Sequence, residues 1–191
     1  TRQRRTTVSS FPACASERIS VAVPMTSRPF GLEPAGRAAS EWTTARWFNS
    51  SERALQLADL RGKVVVLHAF QMLCPACVHH ALPQAQRIHA SFAPQDVAVI
   101  GLHTVFEHHA AMTPVSLQAF LHEYRIAFPV GVDAPSADAR QPIPLTMQAY
   151  GLQGTPSLVL IDREGRLRHH AFGAEDDLLL GAAIAALVSE A

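Results

Sequence analysis

Residues 64–84 read VVVLHAFQMLCPACVHHALPQ, and the order of the chain follows from them. Positions 63–70 carry almost no polar alternation, which is the pattern of a strand covered on both faces, as in a parallel sheet with helices on either side. Cys74 and Cys77 come next, two residues apart. After them Val78, Leu82, Ala85, Ile88 and Phe92 recur at helical spacing, with Gln84, Gln86 and Arg87 left for the opposite face, so a helix is predicted to about position 93. The two cysteines therefore stand where a central strand hands over to a helix.

Working outward, DVAVIGLH (96–103) reads as a second buried strand and PVSLQAFLHEY (114–124) as a helix with Pro114 near its start. FPVGVD (128–133) follows as a short third strand. The segment APSADARQPIPL has the prolines and small polar residues of a loop, and a short helix runs through Met147 to Gly151. PSLVLIDREGRLRHHAF (156–172) then holds two strands joined by a tight Asp-Arg-Glu-Gly turn, an antiparallel hairpin. Residues 178–188 close the chain as a helix, with Glu175, Asp176 and Asp177 at the end of its dipole that favours acids. Upstream, EWTTARWFNS (41–50) suits a strand or hairpin at the domain's edge, and LADLRGK turns at Gly62 into the main strand. Residues 1–40, rich in Ser, Thr, Pro, Arg and Gly, are expected to form a flexible extension that includes Cys14, and 41–191 a single domain.

Composition narrows the function. A hydrophobic share of 48% against 17% charged residues belongs to a globular protein, and 191 residues allow one well-buried domain with extensions. With formal net charge zero and no basic stripe past the first forty residues, nucleic acid is set aside as a partner. No apolar run approaches the roughly 20 residues that cross a bilayer, so no membrane span is expected. Three cysteines are an odd set, unlike a secreted disulfide scaffold. TRQRRTTVSSFPACAS has arginines but no apolar segment behind them; no export signal is legible, which favours the cytoplasm and leaves the periplasm as the alternative.

Parallel βαβ units followed by a β-hairpin and a final helix, with Cys-x-x-Cys leaving the first main strand, resemble the thioredoxin fold: an α/β domain whose central mixed sheet is flanked by helices, here behind an N-terminal extension. VVVLHAFQMLCPAC is similar to the thioredoxin active-site entry, and YGLQGTPSLVLIDREGRL to the family's second landmark, where a Gly-Thr-Pro turn carries a cis-proline into the hairpin. The Gly-Thr-Pro form, the IDREGRL hairpin and the long middle insertions resemble TlpA-like and redoxin-type members, over roughly 55–188. The resemblance implies a thiol-disulfide oxidoreductase with protein disulfides and an upstream thiol reductant as partners and with neither organic cofactor nor metal; reduction is the expected direction, which the Pro75-Ala76 dipeptide does not itself fix. It assigns attack to Cys74 and resolution to Cys77. Thr155 and Pro156, with Pro75 and Ala76, would meet the substrate. His68 occupies the slot of the family's buried acid, where it either takes the proton of Cys77 or is a packed, hydrogen-bonded core residue.

The residue types suit that chemistry. Disulfide exchange begins with a thiolate, and a cysteine at a helix N-terminus gains from unsatisfied N–H groups and the dipole; lowering its pKa from about 8.5 to about 7 takes about 2 kcal/mol. Pro75 has no N–H to leave unpaired in the first turn. Rival readings are a metal-binding or metal-delivery module without turnover and a thiol peroxidase. Tetrahedral zinc wants four ligands and there is no second cysteine pair, while Val78 stands where haem attachment requires histidine. Gln71 and Leu67 fill the positions where peroxiredoxins carry threonine or serine and proline. The doublets His79/His80, His108/His109 and His169/His170 each offer one ligand at best, because neighbours diverge on helix and strand alike. Leu73 replaces the usual tryptophan before the first cysteine, so a flat aromatic docking surface is lost or moved, and Pro83 is expected to bend the first helix.

Overall fold

The computed structural model describes residues 31–34, 36–50, 54–138 and 141–190; Cys14 lies outside the described residues. Six strands form one sheet: β1 (Thr44–Phe48), β2 (Val64–Phe70), β3 (Val97–His103), β4 (Val130–Asp133), β5 (Ser157–Ile161) and β6 (Leu167–Phe172), in the order β1-β4-β3-β2-β5-β6. β2, β3 and β4 run parallel; β5 pairs antiparallel with β2, β6 with β5, and β1 with β4. Among the described residues four α-helices accompany the sheet: α1 (Leu82–Ser91), α2 (Pro114–Glu123), α3 (Leu145–Tyr150) and α4 (Asp177–Ser189).

Every residue of β2 is buried, and its two sets of side chains enter two cores. Val64, Val66 and Phe70 pack with Leu82 and Ala85 of α1, Leu117 of α2 and Leu180 and Ile184 of α4. Val65, Leu67 and Ala69 pack with Trp42, Leu57 and, from α3, Met147 and Tyr150. Burial on both faces is why the strand lacks alternation.

The first helix departs from a regular one. Residues Cys77–Ala81 form a π-helical turn ahead of α1, and the Leu82 N–H donates to the Cys77 carbonyl five residues back. Pro83 supplies the reason: it has no N–H to give, and its ring would collide with the carbonyl four residues earlier in a regular helix. α3 starts directly after Pro144 and ends on Gly151, which lies in the left-handed region at φ 65°.

Pairing with the hairpin reaches back before position 41. Leu32 is buried, the Leu167 N–H donates to Arg37 O at 2.8 Å, Ala39 N–H to Gly165 O at 2.9 Å and Glu33 N–H to Arg168 O at 2.8 Å, so this segment lies along the outer side of β6 and the hairpin turn before it. Backbone pairing of this kind needs no side-chain signature, and GLEPAGRAAS has none. It does need Gly36, where a Cβ would lie 1.7 Å from the Leu167 carbonyl oxygen.

Arg168, which an alternating reading of RLRHHAF would not single out, is buried and ties three segments together. Its Nη1 bonds Asp162 Oδ2 at 3.1 Å, its fork grips Glu190 beyond α4, and its Nε donates to the Glu33 carbonyl at 2.6 Å. Removing one partner of a buried pair strands the other. The Arg168→Ala variant is therefore expected to lose about 3 kcal/mol in urea unfolding, the low end of the usual range because Glu190 reaches solvent and Asp162 keeps the N–H groups of Glu164 and Arg166. A loss below about 1 kcal/mol would show the network to be a surface pair in energetic terms.

Candidate active site

β2 delivers the chain to Gln71, and the next residues turn over its end. The Cys74 N–H donates to Gln71 O at 3.2 Å, and the Val78 N–H closes the first helical bond on Cys74 O at 3.1 Å. Cys74 is half-buried and Cys77 fully buried, both with free thiols. One helical turn separates them, so the Cys77 N–H points back at the Cys74 sulfur, Sγ at 3.3 Å. Pro75 and Ala76 are exposed between them.

The opposite wall is the turn into β5. The Thr155–Pro156 peptide is cis, and Thr155 O accepts from the Cys74 thiol at 3.6 Å. Pro156 is buried and Thr155 half-buried. The two landmarks, eighty positions apart in sequence, thus meet at one sulfur.

Burial pushes the Cys77 thiol up to about 12, reinforced by its hydrogen bond with Cys74; the Gln71 backbone and the Thr155 hydroxyl, both bonded to this sulfur, pull the other way. His68, on the β2 face that packs against Cys77 and α1, is only 1% exposed, and burial lowers it to about 4, so its imidazole is neutral at physiological pH. Its Nε2 finds no hydrogen-bond partner among the described residues. A cavity of about 100 Å³ opens beside it, lined by Ala81, Gln84, Pro156 and Leu158 and, toward the surface, by Glu175 and Asp177. Gln84 spans that mouth, its Nε2 donating to Glu175 O at 2.8 Å and Asp177 Oδ1 at 2.7 Å.

Sequence reasoning did not single out Gln71 as a contact of both cysteines, since its part is played by the main chain. Nor did it find His103, which ends β3, is 1% exposed and packs on Phe70 with ring centroids 5.3 Å apart. Burial lowers His103 to about 4 as well. Among the described residues no three of His, Cys, Asp and Glu converge in a way that could hold a metal ion, and no helix is long and apolar enough to cross a membrane.

The chain matches the AhpC/TSA family over residues 35–170. It is 23% identical over 127 residues to the thiol-disulfide oxidoreductase ResA of Halalkalibacterium halodurans, a match that covers 66% of this chain and 64% of ResA. It is 28% identical over 146 residues to the protein DipZ of Mycobacterium bovis, covering 76% of this chain and 20% of DipZ. The chain thus spans less than two thirds of the length of these curated relatives. Among solved structures, a thioredoxin-like superfamily protein is 61% identical with a TM-score of 0.77, covering 81% of this chain and 98% of that one. A thiol-disulfide isomerase from Corynebacterium glutamicum is 50% identical with a TM-score of 0.75, covering 80% and 97%.

Proposed function

We propose, from the premise that the chain belongs to the AhpC/TSA family on a thioredoxin-like fold, that it is a thiol-disulfide oxidoreductase acting on protein disulfides in the reducing direction. The observation that carries the reading is the Cys74 sulfur at an accessible corner, between the Cys77 N–H and the Thr155 carbonyl. A main-chain donor aimed at that sulfur suits its charged, nucleophilic form.

Cys74 attacks one sulfur of a substrate disulfide. The substrate S–S bond breaks, a mixed disulfide forms, and the departing sulfur leaves as a thiolate that takes a proton. Cys77 then attacks the Cys74 sulfur, closing an enzyme disulfide and releasing the second substrate thiol. Two electrons pass to the substrate, and an upstream dithiol restores Cys74 and Cys77. Thr155 offers its main chain to the extended substrate segment, beside Pro75 and Ala76.

Cys77 holds its proton tightly until it attacks, because a buried thiolate has little to stabilise it. His68, which burial keeps neutral on the β2 face beneath Cys77, takes that proton in this reading as the forming S–S bond makes the attacking thiol acidic. The His68→Asn variant is expected to resolve mixed disulfides roughly tenfold to a hundredfold more slowly, with an altered pH profile of the release step in single-turnover quench experiments. An unchanged profile would return His68 to a packing role.

The decisive experiment for the whole reading is insulin reduction under dithiothreitol, read as turbidity. The protein should accelerate it, and the Cys77→Ser variant should be recovered with substrate bound through Cys74, a complex that dithiothreitol dissolves. Failure of the unmodified protein to reduce insulin, with no trapped complex, would overturn the reading.

A further inference from the structure

Leu73, not an aromatic residue, precedes Cys74, yet an exposed aromatic ring stands on the other wall of the site. Phe172, the last residue of β6, is 58% exposed although it lies opposite Ser157 in the ladder, one position past Pro156. The Gly173 N–H bonds Pro156 O at 2.9 Å, which fastens the end of β6 to the turn that meets Cys74. The ring itself rests on Gly154: a Cβ there would lie 2.8 Å from a Phe172 ring carbon, so the missing side chain is what lets the ring lie against this backbone. Ladder pairing of β5 begins only at Ser157, which leaves the main chain of Thr155 outside the sheet.

From these contacts we infer that Phe172 is a specificity-determining residue: its ring receives an apolar side chain flanking the reactive cysteine of a protein substrate whose extended backbone lies along Thr155. The occupant follows from continuity. A segment that reaches the Cys74 sulfur along Thr155 must pass Gly154, and Gly154 presents no side chain of its own, only the ring packed against it. Leu73, 55% exposed next to Cys74, gives the same segment a second apolar contact on the other wall. A small aliphatic disulfide has no extended segment to lie along Thr155 and no side chain to set against the ring. An aromatic face flanked by apolar contact selects apolar over charged neighbours of the substrate cysteine, because a charged side chain would lose hydration there without gaining a partner.

The inference rests on the oxidoreductase reading, and the test separates the two. Under one reductant, kcat/KM is measured for a protein disulfide (insulin) and for a small aliphatic one (2-hydroxyethyl disulfide), and their ratio is the readout. Phe172→Ala should lower the ratio about tenfold, mainly through KM for insulin, and Phe172→Trp should restore it. A ratio that stays constant, whether both values hold or both fall together, would overturn the inference, since a ring that merely props Gly154 and the Thr155–Pro156 turn affects both substrates alike. If the unmodified protein reduces neither substrate, the oxidoreductase reading itself fails and the inference with it.

Discussion

Steady-state insulin reduction by the Cys77→Ser variant should fall by at least about a thousandfold while its first attack on a disulfide persists. The two steps separate because they use different sulfurs. Cys74 keeps its accessible position and its contact with Thr155 in the variant. What is lost is the thiol held one helical turn away, on a residue whose main-chain N–H, kept in the variant, lies 3.3 Å from the Cys74 sulfur. A well-oriented intramolecular group has an effective concentration far above molar, whereas an external thiol in the assay is millimolar, so resolution from outside is slower by about three orders of magnitude or more. Rapid-quench mass spectrometry would show a burst of about one mixed disulfide per protein, followed by slow release. Turnover within tenfold of the unmodified protein would mean that Cys77 is not the resolving group.

The second large effect is acid lability. His68 and His103 are both lowered to about 4 in the folded protein by burial, against about 6.5 when exposed. Between those values the unfolded chain binds two protons that the folded one does not, so stability falls as pH falls. The contribution is fully present above about pH 6.5 and is lost progressively down to about pH 4, below which it no longer changes. Each histidine accounts for about 3 kcal/mol, and the two together for a large part of the 5–15 kcal/mol typical of a domain. Asp177, lowered by its bonds with Gln84 and Arg87, adds in the same direction at lower pH; Asp133, raised by burial, opposes it. Urea titrations at pH 7 and pH 4.5 should differ by several kcal/mol, and His103→Phe should flatten the slope by about one proton. A difference below about 1 kcal/mol would mean that both rings take up protons without unfolding.

The parts of the molecule that were legible in advance depend on side-chain pattern. Positions 64–70 announce a strand covered on both sides, and Cys74-x-x-Cys77 with Gly154-Thr155-Pro156 announces two walls of a site. Less legible are features made by the main chain or by partners distant in sequence. The π-helical turn at Cys77–Ala81 is set by Pro83, whose effect on the preceding carbonyl gives no periodic signal. Glu33 and residues 36–39 read as linker because it is their main chain, not their side chains, that makes the hydrogen bonds holding them to the hairpin. Arg168 looks like a surface residue in its window of local sequence, and the carboxylates of Asp162 and Glu190 are what make its burial tolerable.

Residues 36–39 have a further consequence where they run beside the hairpin. A terminal strand presents unused amides to any neighbouring molecule, and this segment occupies the lower part of that rail on β6. A chain trimmed to start at position 41 would keep its redox corner but uncover the rail, so such a protein would be prone to stack with its own copies in solution before any loss of chemistry was felt.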